Sequence, residues 1–156
     1  MGFNGWNRGS NKYGARKTSY QGLTFDSVVE RDRFRYLQYQ QQKGEISNLH
    51  LQWSFEVFPK ITKIVPTQLK TKVRYDERVV EQNIGYKADF VYRENGRYVI
   101  EDTKSEYGMK GSRDYPLRRK LMVAIIQKHN AKGHGQWIFR ESILKGSRLI
   151  IHDIEP

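Results

Sequence analysis

Apolar and polar residues alternate along two short runs that flank an Asn-Gly pair. Tyr86-Lys87-Ala88-Asp89-Phe90-Val91-Tyr92-Arg93 precedes Asn95-Gly96, and Arg97-Tyr98-Val99-Ile100-Glu101-Asp102-Thr103-Lys104 follows it. Asn-Gly between alternating segments predicts a two-residue type I′ hairpin. In that register Glu94 faces Arg97, Tyr92 faces Val99 and Asp89 faces Asp102. Upstream, Val28, Val29, Phe34, Tyr36 and Leu37 give one apolar side to a helix that starts near Asp26 or Ser27 and runs to about Lys43, where Gly44 ends it. An apolar strand, Leu51 to Phe58, stops at Pro59. Residues 60–83 carry little periodicity and read as an extension or long loop, a candidate contact for DNA or a second subunit. Beyond the hairpin, Gly108 to Arg113 reads as a flexible basic loop, Pro116 to about Lys132 as a helix, and Gln136–Arg140 and Arg148–Ile154 as strands.

The hairpin carries the candidate chemistry. Side chains alternate along a strand, so Lys104 shares the face of Asp102 while Glu101 and Thr103 point the other way. Opposed residues have Cβ atoms roughly 5 Å apart, and like charges there destabilise a sheet. A divalent cation between Asp89 and Asp102 removes that penalty. Magnesium takes oxygen ligands, often one or two carboxylates plus substrate phosphates, and a neighbouring ammonium stabilises charge that builds on phosphate. The plainer alternative is a solvated face with an incidental ion pair. Ala88, Phe90, Val91, Tyr92, Val99 and Ile100 weigh against it, because they mark the strands as buried and buried carboxylates need partners. A bulge would shift the register by one and bring Glu101 to the site in place of Asp102. Ser27-x-x-Glu30 fits a helix capping box, yet Glu30 one turn into the helix is also placed to reach the metal.

Composition narrows the function classes. At 156 residues the chain is expected to form one domain. The absence of cysteine removes disulfides, thiolate catalysis and cysteine-based zinc sites. His50, His129, His134 and His152 have no paired metal-ligand spacing, and no glycine pattern of serine hydrolases, nucleotide hydrolases or dinucleotide enzymes occurs. No apolar stretch has the length of a membrane span or the place of a secretory signal, so a soluble intracellular protein without a membrane partner is expected. The net charge of +11 predicts a polyanionic partner, and without a basic membrane anchor nucleic acid is favoured. Residues 1–24 contain no acidic residue and place Trp6, Tyr13 and Tyr20 among Arg8, Lys12, Arg16 and Lys17. They read either as a flexible basic arm that grips phosphates and stacks on bases, or as a solubilising tail. Arg118, Arg119 and Lys120 crowd the first turns of the second long helix, the wrong end for its dipole. They suit a phosphate partner, with a solvated basic face as the alternative.

Three stretches combine into a resemblance. Lys12-Tyr13-Gly14 is followed by Phe25-Asp26-Ser27-x-x-Glu30, then by Tyr86-x-Ala88-Asp89-Phe90-x-Tyr92, then by Val99-Ile100-Glu101-Asp102-Thr103-Lys104. With the order helix, strand, strand, strand, helix, strand, the chain resembles the PD-(D/E)XK nuclease superfamily. The likeness extends to phage-encoded members, among them Holliday-junction-resolving endonucleases and a phage family described only as proteins of unknown function. The resemblance implies an α/β fold with a central mixed sheet and flanking helices in the order αβββαβ, the restriction-endonuclease-like core, over residues 25–156. It implies that Asp89 and Asp102 bind Mg2+, with Mn2+ as a substitute, that Glu30 completes the acidic cluster, and that Lys104 positions or activates the attacking water. It further implies an endonuclease on branched DNA, a homodimer, and a phage protein in the cytoplasm of a bacterial host. Ala88 stands where the motif has its proline, and Asp102 where Glu is more usual. A non-catalytic DNA-binding accessory protein, or a nuclease acting on duplex DNA or RNA, are the alternatives.

Overall fold

A computed structural model of the chain describes residues 17–156. Two short strands, β1 (Thr18–Tyr20) and β2 (Leu23–Phe25), form a hairpin ahead of helix α1 (Val28–Lys43). Strand β3 (Ile46–Phe58) leads into a two-stranded ribbon, β4 (Ile61–Gln68) and β5 (Val73–Glu81). Strands β6 (Ile84–Glu94) and β7 (Arg97–Ser105) follow, then a short helix α2 (Glu106–Gly111), a long helix α3 (Tyr115–Ala131), and strands β8 (Trp137–Lys145) and β9 (Arg148–Ile154). The central sheet has five strands in the order β3-β6-β7-β8-β9 and is mixed, with β7 and β8 parallel and every other neighbour antiparallel. No described helix is long and apolar enough to cross a membrane.

Local chemistry explains the boundaries. Ser27 is extended at φ −149° and its Oγ accepts the Glu30 N–H at 3.1 Å, the first half of a capping box. Gly44 ends the helix in the left-handed conformation, φ 79°, and its N–H turns back to the Gln40 and Gln41 carbonyls. Asn95 and Gly96 take φ of 50° and 77°, as a type I′ turn requires, and the hairpin register is the expected one, with Glu94 opposite Arg97 and Tyr92 opposite Val99.

Three segments correct or refine the sequence reading. Residues 18–25 form the β1–β2 hairpin and not part of a flexible arm, with Phe25 fully buried; residues 1–16 lie outside the described part. Of the two readings of the 60–83 segment, extension or long loop, it is the extension, a paired ribbon; its exposed strands bury no face, so their sequence carries no regular period. The basic stretch after Gly108 is partly helical, because Ser105 Oγ caps α2 by accepting the Gly108 N–H at 3.1 Å.

Two apolar layers sandwich the sheet. On one side Phe34 and Leu37 of α1 pack with Phe25, Ile46, Phe90, Tyr92, Val99 and Ile138; on the other, Tyr115, Met122 and Ile126 of α3 pack with Tyr86, Ala88, Val91, Ile100 and Phe139. A polar network runs through the α1 layer. Glu101, 0% exposed, accepts from Arg33 Nε at 2.6 Å, from the Tyr92 hydroxyl at 2.6 Å and from the Ser142 hydroxyl. Arg140 donates to the Tyr92 oxygen at 2.8 Å and is held by Glu94 and Asp153. The hairpin has no bulge between Phe90 and Glu94, so Glu101 stays on the side away from Asp102 and does not replace it.

This network predicts a stability effect. Arg33→Leu strands the Glu101 charge in the core and should cost about 3–5 kcal/mol in urea unfolding, with part of the loss recovered by the double replacement Arg33→Leu/Glu101→Leu. A loss below ~1 kcal/mol would mean that Arg140 already neutralises Glu101.

Candidate metal centre

The sheet is irregular at one level, and Asp89 sits there. Opposite it in β3, Gln52 adopts φ 51°, a left-handed conformation that side chains rarely take inside a strand. Leu49 and Leu51 pack on the α1 side, whereas Phe55 and Val57 pack on the α3 side. The neighbouring strand does the same, with Phe90 and Tyr92 on the α1 side and Tyr86 and Ala88 on the α3 side. Both strands therefore exchange faces at Gln52 and Asp89. The β6–β7 ladder ends here too, its last pair being Phe90 with Glu101. The Thr103 N–H, freed from the ladder, donates to Asp89 Oδ2 at 2.7 Å.

The β6–β7 pairing stops one residue short of the expected Asp89–Asp102 pair, and the Asp102 charge acts on Asp89 just past the end of the ladder. Burial pushes the Asp89 carboxyl well above the usual range, and the Asp102 charge pushes it further, against the pull of Lys104. Asp102, 3% exposed, is likewise raised by burial, although Lys104 Nζ lies 2.6 Å from its Oδ2. Burial acts to lower Lys104, but Asp102 and Asp89 outweigh it and hold the ammonium above its ordinary value. The Lys104 ammonium also lies 5.0 Å from the centre of the Tyr115 ring. A cleft of about 360 Å³ opens beside these groups, lined by Tyr86, Asp102, Lys104, Asp114, Tyr115 and Arg118 among others.

Glu30 stands one step away. Its Oε2 accepts the Asp26 N–H at 2.9 Å, the second half of the cap displaced by one residue, and Gln52 Nε2 lies 3.5 Å from its Oε1. Burial raises its pKa, and its charge in turn raises that of Asp89. Among the described residues, no group of three or more His, Asp or Glu is drawn close enough to hold a metal ion. Two carboxylates are nevertheless a donor set that magnesium can take, since it commonly uses one or two together with water and phosphate.

The other predicted residues fall in different places. Arg118 is exposed at the cleft, and Lys120 is exposed on α3. Arg119 is not free for a phosphate, because its Nη1 donates to Glu141 Oε1 at 2.8 Å, an acceptor shared with the Tyr115 hydroxyl. Lys17 lies 3.8 Å from Asp26 on the surface; Arg8, Lys12 and Arg16 are outside the described residues. Three further residues border the site. Tyr86 and Tyr115 form the wall of the cleft, both with phenols pushed up by burial and by the Asp102 charge, and Glu141 sits beside Asp102 through parallel pairing. A partner in a parallel ladder leaves no local signal in sequence.

Residues 10–146 match a family described as Protein of unknown function (DUF1064). No curated protein matches the chain. A solved structure titled "Crystal structure of SSO0001" is similar at 14% sequence identity and a TM-score of 0.34, over 80% of this chain and 50% of that one, so the chain spans about half its length.

The electrostatics predict a pH effect in metal-free protein. A carboxyl raised in the folded state contributes stability below its usual value of 3.8, and that contribution is lost as pH rises through the folded value. Asp89→Asn keeps an acceptor for the Thr103 N–H and removes the charge. Above that window it should unfold at higher temperature than wild type in EDTA, with the gap closing toward acid pH. A lower melting temperature at neutral pH would show that the Asp89 charge is already compensated.

Proposed function

We propose that this chain, which belongs to the DUF1064 family, is a metal-dependent endonuclease of the PD-(D/E)XK type that hydrolyses DNA phosphodiester bonds. The observation that carries this reading is half-buried Asp89 under the charge of buried Asp102 just past the end of the β6–β7 ladder, with the Lys104 ammonium as the cation acting on both. Two carboxylates and one ammonium leave the site with excess negative charge, and burial makes that costly. The mixed central sheet with helices on both faces supports the same reading, and we take α1, β3, β6, β7, α3 and β8 as its αβββαβ core, with β1, β2, the ribbon, α2 and β9 as additions. Asp89 and Asp102 are the residues that would hold magnesium, with Glu30 near enough to bias the site electrostatically.

When bound, the ion supplies Lewis acidity to the scissile phosphate and lowers the pKa of water. The chain's own residues do the rest. Lys104, fixed by Asp102 and Tyr115, holds a positive charge where negative charge grows on the phosphoryl oxygens. Arg118 at the cleft mouth offers a further phosphate contact. Tyr86 and Tyr115 keep their protons and wall the site against bulk water. In the reaction a water oxygen bonds to phosphorus as the bond to the leaving sugar oxygen breaks; the water gives up one proton to solvent and the leaving oxygen takes one up from it. Branched DNA in a homodimer, with two sites for paired cuts, is the substrate and state we favour.

Cleavage of a labelled four-way junction, with linear duplex and RNA as comparisons, tests this. Magnesium should support cutting that EDTA abolishes. Asp102→Asn should lose about three orders of magnitude or more in rate and Lys104→Ala about 10²–10³, both with junction binding retained. Salt-sensitive binding without cutting in any metal would leave a non-catalytic DNA-binding protein.

A further inference from the structure

The β4–β5 ribbon leaves the sheet at the end where the cleft opens. Strand β6 starts at Ile84, five residues before Asp89, so the base of the ribbon lies about 17 Å along the strand from the carboxylate pair. Lys87, between the two, lines the cleft. Eight residues of β4 carry the ribbon a further ~27 Å outward, and its two strands pack chiefly on each other.

The register divides the ribbon into unlike faces. Residues directly opposite share a side and successive pairs alternate. One face holds Lys63 opposite Arg78, Val65 opposite Asp76 and Thr67 opposite Arg74; the other holds Ile64 opposite Glu77, Pro66 opposite Tyr75 and Gln68 opposite Val73. Lys72, whose carbonyl closes the turn by accepting the Leu69 N–H, continues the first face, and Lys70 lies in the turn. Asp76, in the middle of that face, is taken by Arg74 at 2.7 Å, and Glu81, opposite Ile61, lies at its base. Among the described residues, the side chains of Lys63, Arg78, Lys70 and Lys72 form no ion pair or hydrogen bond and are exposed. Lys63 directly opposite Arg78 places like charges where they destabilise a two-stranded sheet. An anion between them reverses that penalty.

We propose that this basic face is a binding site for the phosphate backbone of duplex nucleic acid, an arm that lies along the helix next to the cleft. A regular, linear polyanion fits the observations better than a single small anion, because the cations are spread along the ribbon and not gathered into a pocket. Two-stranded ribbons are also narrow enough to enter a major groove about 12 Å wide. The inference deepens the nuclease reading by giving the substrate arm a duplex to hold, and its test is read without metal so that the two can fail separately.

The experiment is fluorescence-anisotropy titration of a labelled duplex in EDTA across a series of KCl concentrations, with wild type, Lys63→Ala/Arg78→Ala and, at the tip, Lys70→Ala/Lys72→Ala. All four positions are exposed, so the variants should fold, which circular dichroism verifies. Removing one cation that pairs with a phosphate should lower the slope of log affinity against log salt by about 0.9, so each double variant should lose about 1.8 and bind at least about tenfold more weakly at low salt. Slopes and affinities unchanged in both variants would overturn the arm while leaving the cleavage reading intact. Unchanged DNA binding together with loss of self-association in sedimentation would overturn it too, and would assign the ribbon to a second copy of the chain through its apolar face.

Discussion

Two carboxylates on consecutive residues of one buried strand, Glu101 and Asp102, have to be neutralised on opposite sides of the same sheet. The sheet solves the two problems differently. On the α1 side the chain supplies everything, since Arg33, Tyr92 and Ser142 all donate to Glu101. On the α3 side Asp102 meets a second carboxylate, Asp89, and one ammonium, Lys104. A satisfied buried charge is a structural element, while a buried cluster with excess charge of one sign is a place for a ligand of the other. This asymmetry separates Glu101 from Asp102, two residues that composition alone makes equivalent.

The exchange of faces at Gln52 and Asp89 gives the asymmetry its geometry. A regular β6 would continue its ladder past Phe90, and the Thr103 N–H would be consumed by backbone. The break hands that N–H to Asp89 instead and fixes the carboxylate against β7. A left-handed glutamine inside a strand costs on the order of 1–3 kcal/mol. In that conformation Gln52 reaches across to Glu30 and to the Thr24 carbonyl, and so ties helix α1 to the strand beside the site.

The hairpin was legible because its determinants are local: Asn-Gly fixes the turn, and the turn fixes the register from Glu94–Arg97 to Phe90–Glu101, one pair short of Asp89 and Asp102. The same holds for α1, whose start and end rest on Ser27 and Gly44. What stayed hidden depends on residues far apart in sequence. Glu101 owes its role to Arg33, 68 residues away, and Arg119 is drawn from any phosphate by Glu141 across the α3–β8 interface. Glu30 had two readings, cap and metal ligand; its hydrogen bond from the Asp26 N–H is that of a cap, and its charge acts on Asp89 from a distance. The ribbon was missed as structure because neither of its faces is buried, so no hydrophobic period marked it.

The proposed cleavage chemistry rests on Asp89 and Asp102 together forming a cation site. Isothermal titration of metal-free protein with Mg2+ and with Mn2+ addresses it directly, compared between wild type, Asp89→Asn and Asp102→Asn. Saturable binding in wild type that either substitution abolishes, with all three proteins folded, is the expected result. Binding that survives both substitutions, or no binding in wild type while Lys104 alone balances the pair, would contradict it.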